Sequence, residues 1–282
     1  DLTMATIKHA LKQADTLQQV SESWKLDAEL LLAEAIEQSR EYLFTWPNQE
    51  LTESQLKKFD DYCGRRLLNE PVAYILGRQA FWDFELIVNP SVLIPRPETE
   101  LLVETALELL DNSATAAVLD LGTGSGAIAL ALAANNKRWA VTAVDSSESA
   151  LVVAADNAKL LQLSNIEFIQ TSWCDGLQTD HFDLIAANPP YVEAGDRHLS
   201  EGSLPFEPIA ALVARENGLA DIRAIAEQSR HCLKKDSWLL IEHGFQQKQD
   251  VEKLLVDTGY ANIECVKDLA GLDRLTKARC LN

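Results

Sequence analysis

Beyond residue 115 the chain repeats one unit, an apolar run too short for a helix followed by a helical stretch, and its first instance constrains the fold most. Val118-Leu119-Asp120-Leu121 gives way to Gly122-Thr123-Gly124-Ser125-Gly126 and then to Ala127 to Ala134, rich in Ala, Ile and Leu. A short apolar run bounded by glycines fits a buried strand, and the alanine-rich stretch behind it fits a helix. Ala140 to Val144, Ile166 to Gln170, Asp183 to Ala187 and Trp238 to Glu242 continue the strands. Ser149 to Leu163, Leu219 to Leu233 and Lys248 to Thr258 supply the helices between and after them. Interleaved strands and helices require crossover connections, so the expected class is α/β, a doubly wound, mostly parallel, Rossmann-like sheet. Ile263 to Cys280 has room for one or two more strands, expected as an antiparallel edge pair.

Residues 1–78 have a different texture. In Leu26 to Ile36, apolar Leu26, Leu30 and Ala33 recur at helical spacing, and Thr52-Glu53-Ser54-Gln55 reads as a capping box after the staple residue Leu51. This stretch is expected to be a small helical domain for recognition or packing. Residues 79–97, with Phe81 to Val88 partly alternating and Pro90, Pro95 and Pro97 behind them, read as a β-ribbon or linker. Residues 98–282, opening on a helix from Glu98 to Leu110, form the second domain.

Composition narrows the chemistry. The 282 residues include 25 Lys plus Arg against 43 Asp plus Glu, a formal charge of −18, which repels polyanions and argues against a nucleic-acid substrate. Cys63, Cys174, Cys232, Cys265 and Cys280 are scattered, with no Cys-x-x-Cys, so reduced thiols are expected, and Cys174 has no base in sequence reach to activate it. His9, His181, His198, His231 and His243 show no ligand spacing, and no structural metal is expected. No apolar run reaches the ~18 residues that span a bilayer. The start, Asp1-Leu2-Thr3-Met4, has no basic leader or apolar core; Asp1 reads as a trimmed start, and a cytoplasmic monomer without membrane attachment is expected.

Two features carry chemistry. Gly122 to Gly126 lies between strand and helix, where glycines permit close backbone approach and the helix N-terminus offers free N–H groups to an anion. With Ala127 it satisfies Gly-x-Gly-x-x-Ala, so a dinucleotide reading stays open, and Asp145, at the end of the next strand, suits the ribose hydroxyls of any adenosine cofactor. Asp145 also reads as a helix cap. The second feature, Asn188-Pro189-Pro190-Tyr191, ends the fourth strand, beside the crevice where open α/β sheets bind ligands. Prolines stop the strand and leave carbonyls free to accept, with an amide on one side and an aromatic face on the other. Hydride transfer has no evident use for that arrangement, whereas methylation of a planar nitrogen does.

At these residues the chain resembles the class I S-adenosylmethionine-dependent methyltransferases, and within them the peptide-chain release factor glutamine methyltransferases. The resemblance rests on Glu70 to Gly77, Leu93 to Glu100, Asp120 to Leu130, Asn188 to Tyr191, and Phe206-Glu207-Pro208 followed by Ala211-Leu212. It implies methyl transfer from S-adenosylmethionine, leaving S-adenosylhomocysteine, to the side-chain nitrogen of the glutamine in a Gly-Gly-Gln loop. It also implies that Gly122, Thr123, Gly124, Ser125 and Gly126 line the methionine part of the cofactor, that Asp145 holds the ribose, and that Trp173 lies beside the adenine. Asn188 and the Pro189 carbonyl would accept the two N–H bonds of the substrate amide, with Pro190 alongside and Tyr191 packed on its face. Asn cannot act as a base; Glu98 and Glu100 are candidates to take the surplus proton, although a place in a helix first turn explains them as well. The other readings are methylation of a glutamine in a ribosomal protein, a DNA or RNA amino-methyltransferase acting on a flipped base, a nicotinamide oxidoreductase, and a noncatalytic binding module.

Overall fold

A computed structural model describes residues 5–111, 113–193 and 195–281; the start, Asp1 to Met4, lies outside them. Two compact units emerge. The smaller comprises the chain up to Arg78 together with Arg197–Phe206, and the larger comprises Gln79–Asp196 and Glu207 onward.

The smaller unit contains helices α1 (Ile7–Gln13), α2 (Trp24–Ala35), α3 (Arg40–Thr45), α4 (Glu53–Leu67) and α5 (Val72–Leu76). The capping box holds: the Thr52 hydroxyl accepts from Gln55 N, and Thr52 N donates to Gln55 Oε1 at 2.9 Å. Of the stripe expected on α2, Ala33 is buried and Leu30 half-buried, and Leu26 alone faces outward. Ala28, Leu31, Leu32 and Ala35 are buried, whereas Leu26 is 42% exposed. Beside Leu26, Asp27 turns inward to meet Arg66 of α4, Nε to Oδ2 at 2.8 Å, a buried ion pair.

The larger unit opens on the paired strands β1 (Arg78–Phe81) and β2 (Phe84–Ile87), then helix α6 (Glu100–Leu109). Alternation follows with β3 (Ala117–Leu121), α7 (Ala127–Asn135), β4 (Ala140–Asp145), α8 (Glu148–Leu160), β5 (Ile166–Gln170) and β6 (Phe182–Ala187). After the two-residue strands β7 (Val192–Glu193) and β8 (Val213–Ala214) and the turn α9 (Arg215–Gly218) come α10 (Ala220–Cys232), β9 (Leu233–Glu242), α11 (Lys248–Asp257), β10 (Tyr260–Lys267) and β11 (Asp273–Cys280). The main sheet has seven strands in the order β10-β11-β9-β6-β3-β4-β5. The four pairings that join β9, β6, β3, β4 and β5 are parallel, and β11 runs antiparallel to both β9 and β10, as the tail of the sequence led one to expect. Parallel strands covered on both faces are apolar throughout, and Val118, Leu119, Leu121, Leu184, Ile185, Leu239 and Leu240 are all buried.

One polar residue ties the β-ribbon to this sheet. Asn157 of α8, fully buried, accepts from Ile87 N at 2.7 Å and donates to the carbonyls of Ile87 and Ser125 at 3.0 and 2.9 Å. The ribbon edge and the glycine loop are thereby fixed to one amide.

Candidate active site

The chain runs from β3 outward to β4 and β5, then returns to place β6 on the other side of β3. The direction of winding reverses there, and a crevice opens beyond the carboxyl ends of β3 and β6. A cavity of about 350 Å³ occupies it, lined by Gly122, Thr123, Gly124, Ser125, Asp145, Trp173, Asn188 and Pro190, with Arg96, Thr99 and Pro208 at its border. Residues far apart in sequence therefore share one site. Gly126, Pro189 and Tyr191 are not among the lining residues.

The loop geometry explains the glycines. Gly122 has φ +70°, and a Cβ there would stand 3.3 Å from the Trp173 ring, so a bare backbone passes beside the indole. Gly126 caps α7 at φ +87°, and its Cβ would stand 2.9 Å from Leu130 Cδ1 and 3.2 Å from Ala154 Cβ. Packing of α7 on α8, rather than a ligand, demands that glycine. Asp145 braces the loop: Gly124 N donates to Oδ2 at 2.9 Å and Ser147 N to Oδ1 at 2.9 Å. The cap of α8 is Ser147, which accepts from Ala150 N. A carboxylate has about four lone-pair positions, so Asp145 retains acceptors for a pair of hydroxyls in the cavity.

Beneath the loop, Asp120 is fully buried. Its Oδ2 accepts from Thr123 Oγ1 at 2.6 Å and from Ala129 N at 3.2 Å, and Oδ1 has no partner among the described residues. Burial pushes this carboxyl up to about 7 against those hydrogen bonds. The cavity thus brings together a glycine loop, the Trp173 indole and the Asp145 carboxylate, a lining that fits an amino-acid sulfonium carrying an adenosine.

Asn188 stands where β6 stops. Its Nδ2 donates to Thr99 Oγ1 at 3.1 Å, and among the described residues no hydrogen bond is made to Oδ1. Tyr191 is held from two directions. Gln247 Nε2 donates to its carbonyl at 3.0 Å, and its hydroxyl faces Glu242, the last residue of β9. Burial pushes the Tyr191 hydroxyl up to about 12, so it keeps its proton. Glu242 is 3% exposed and is pushed up to about 7, chiefly by desolvation. Glu100, one of the candidate proton acceptors, is occupied elsewhere: its Oε1 accepts from Trp82 N at 2.8 Å. Neither it nor Glu98 lines the cavity. A second buried carboxylate, Glu207, joins two border loops by accepting from Ile94 N at 3.0 Å and Arg96 Nη2 at 2.5 Å. Cys174 is buried; hydrogen bonding to Cys232 and then burial raise its thiol above the ordinary value, so it stays protonated.

Thr99, Asp120, Glu242 and Gln247 were not assigned roles from sequence. The available signal was an acid at the end of an apolar strand, Asp120 after Val118-Leu119 and Glu242 after Leu239-Leu240-Ile241. A carboxyl placed there must be buried, and buried carboxyls collect at functional sites.

This sheet order, switch-point crevice and glycine loop braced by an acid on the neighbouring strand define an S-adenosylmethionine-dependent methyltransferase. Residues 8–77 match the family described as PrmC N-terminal domain, and residues 97–202 match Methyltransferase small domain. Proteins named release factor glutamine methyltransferase are similar over nearly the whole length. That of Pseudomonas aeruginosa is 49% identical over 273 residues, 97% of this chain and 98% of its own, and that of Escherichia coli K12 is 40% identical over 272 residues, 96% and 98%. The chain belongs to the release factor glutamine methyltransferase family. Among solved structures, a ribosomal protein L11 methylase from Lactobacillus delbrueckii subsp. bulgaricus shares the fold at TM-score 0.51 and 21% identity, covering 69% of this chain and 84% of that one. The hMettl16 catalytic domain shares it at 0.55 and 17%, covering 70% and 74%.

Proposed function

We propose that this chain transfers a methyl group from S-adenosylmethionine to the side-chain amide nitrogen of the glutamine in the Gly-Gly-Gln loop of peptide-chain release factors. The observation that supports the reading is Asn188, which lines the cavity with Nδ2 committed to Thr99 and Oδ1 without a partner among the described residues. When bound, S-adenosylmethionine supplies an electrophilic methyl on a sulfonium. Resonance with the carbonyl makes an amide nitrogen a poor nucleophile, so the protein must orient it. Asn188 Oδ1 and the Pro189 carbonyl accept its two N–H bonds, which directs the nitrogen and draws electron density toward it. Orientation alone can lower a barrier by about 7 kcal/mol.

In this reading residues 1–78 serve protein recognition, residues 79–97 link the parts, and residues 98–282 bind the cofactor and carry the chemistry. The chain acts as a monomer in the cytoplasm, where translation ends; among the described residues no helix is long and apolar enough to cross a membrane. A charge of −18 opposes a nucleic-acid substrate. Parallel incubations with methyl-labelled cofactor and a release factor, a ribosomal protein or nucleic acid test the substrate class. Label is expected on the release factor, and label on nucleic acid would overturn the reading.

A further inference from the structure

We propose that the tip of the β10–β11 hairpin, Asp268 to Leu272, forms with Phe245 a docking ridge for the release factor surface that flanks the Gly-Gly-Gln loop. The inference rests on the substrate reading given above and adds where the protein around the glutamine is held. Strand register places the ridge. Ala187 of β6 pairs with Ile241 of β9, and Ile241 with Thr276 of β11, so the three form one row across the sheet. Asn188 lies one residue beyond that row, and Leu272, on the antiparallel strand, lies four residues beyond it at the same end of the sheet. With strands about 4.8 Å apart and a rise of about 3.3 Å per residue, the tip stands roughly 10 Å to the side of the Asn188 turn and roughly 10 Å further out. Phe245 sits in the loop after β9, which Gln247 ties to the Tyr191 carbonyl at 3.0 Å. A glutamine side chain is only two methylenes and an amide, so a protein that delivers one to Asn188 brings its own surface to this rim.

The tip is built to present apolar side chains. Leu269 is fully exposed, Phe245 is 47% exposed and Leu272 38%. A lone exposed leucine is ordinary, but here the polar groups of the turn are directed at one another. Asp268 Oδ1 accepts from Ala270 N and Leu272 N, both at 2.9 Å, and Asp268 N donates to the Leu272 carbonyl at 2.9 Å. Asp268 Oδ2 accepts from Arg274 Nε at 3.2 Å, and Lys267 Nζ meets Asp273 Oδ1 at 3.0 Å. The Arg274 guanidinium lies 5.7 Å from the centre of the Phe245 ring and links the tip to the loop after β9. What the turn offers outward is leucine, held in one backbone conformation before a partner arrives, so docking there loses little conformational entropy. Place and chemistry together select the occupant. A nucleic-acid partner would ask for free basic side chains on this rim, whereas Lys267 and Arg274 are both paired with carboxylates. An apolar ridge beside the Asn188 turn fits the folded protein to which the substrate glutamine belongs.

The test is kcat and KM for a purified release factor, with its dissociation constant by calorimetry in the presence of S-adenosylhomocysteine, in Leu269→Ser, Leu269→Ser with Leu272→Ser, Leu269→Met and Leu160→Ser. Leu269, being fully exposed, adds nothing to the core, so its replacement leaves the fold intact. Leu269→Ser is expected to raise KM and the dissociation constant about tenfold, the worth of one buried leucine side chain, and the double variant to raise them further. The value of kcat at saturating release factor and the affinity for S-adenosylmethionine are expected to stay within about twofold. Leu269→Met keeps the apolar bulk and is expected within about threefold of the unsubstituted chain. Leu160 is the control: it is 59% exposed at the end of α8, where the chain turns toward the start of β5 at the opposite end of the strands, and Leu160→Ser is expected to change nothing. A KM in the double variant within about twofold of the original, an equal rise in Leu160→Ser, or a loss of kcat with KM unchanged overturns the proposal. A release factor that takes no methyl from the unsubstituted chain overturns the substrate reading instead, so the two failures are told apart.

Discussion

Gly126→Ala should be among the most damaging single-methyl additions to this chain. The new Cβ would stand 2.9 Å from Leu130 Cδ1 and 3.2 Å from Ala154 Cβ, at a φ of +87° that side chains rarely adopt. The left-handed backbone costs an alanine about 1–2 kcal/mol, and forcing a methyl into a packed helix junction costs about 1–3 kcal/mol more. Leu130 and Ala154 are both fully buried, so neither can swing into solvent to make room. The combined loss is expected at about 2–5 kcal/mol, a fall of roughly 6–15 °C in the melting transition of a unit this size. Gly64→Ala is the internal control: that glycine lies inside α4 with nothing within 4 Å of its Cβ and no positive φ, so the substitution should stabilise its unit by about 0.5–1 kcal/mol. Urea unfolding of the intact chain, followed by circular dichroism, measures both. A Gly126→Ala transition within about 1 kcal/mol of the original would refute the packing argument.

Other substitutions probe the same architecture. Asp145→Ala removes both the brace on Gly124 and Ser147 and the proposed ribose acceptor, so S-adenosylmethionine should bind about tenfold to a hundredfold more weakly by calorimetry; an unchanged dissociation constant would refute the ribose assignment. Asn157→Ala leaves one N–H and two carbonyls without partners and should cost about 3–5 kcal/mol in urea unfolding, with a loss under about 1 kcal/mol counting against its bracing role. Asp120 and Glu242 are both raised to about 7 by burial, above their unfolded values. Between the unfolded and folded values the folded state holds protons that the unfolded state has released, and the stability this provides, roughly 3–4 kcal/mol for each group, is fully present below about pH 4 and lost as pH rises to about 7. The urea midpoint should fall between about pH 4 and 7, level off above that, and fall less in Glu242→Gln; an identical slope in that variant would argue against a raised Glu242.

Local pattern carried the parts of this molecule that short-range physics determines. Short apolar runs, the glycine loop and the Thr52 cap show themselves because strand length, positive φ and capping are properties of adjacent residues. Asn188 could be placed at a strand end because two prolines forbid continuation. What pattern could not supply was the identity of contacts between distant residues. Gly126 looks like part of a ligand loop in sequence, yet its neighbours are Leu130 and Ala154, the latter from a helix that only the folded sheet brings alongside. The partner of Asp27 on α2 is Arg66, 39 positions away, and the partner of Asn188 is Thr99, 89 positions away. Glu242 reads as a polar interruption of a strand until β9 is set beside β6, where Ala187 pairs with Ile241 and the acid arrives next to the Asn188 turn.

Peptide mass mapping of a release factor incubated with the chain and methyl-labelled S-adenosylmethionine, run beside Asn188→Ala, tests the amide clamp most directly. The expected result is a single methyl on the side-chain nitrogen of the Gly-Gly-Gln glutamine with the unsubstituted chain, and none with Asn188→Ala while cofactor affinity is retained. A methyl on any other residue, or an equal yield from Asn188→Ala, would contradict it.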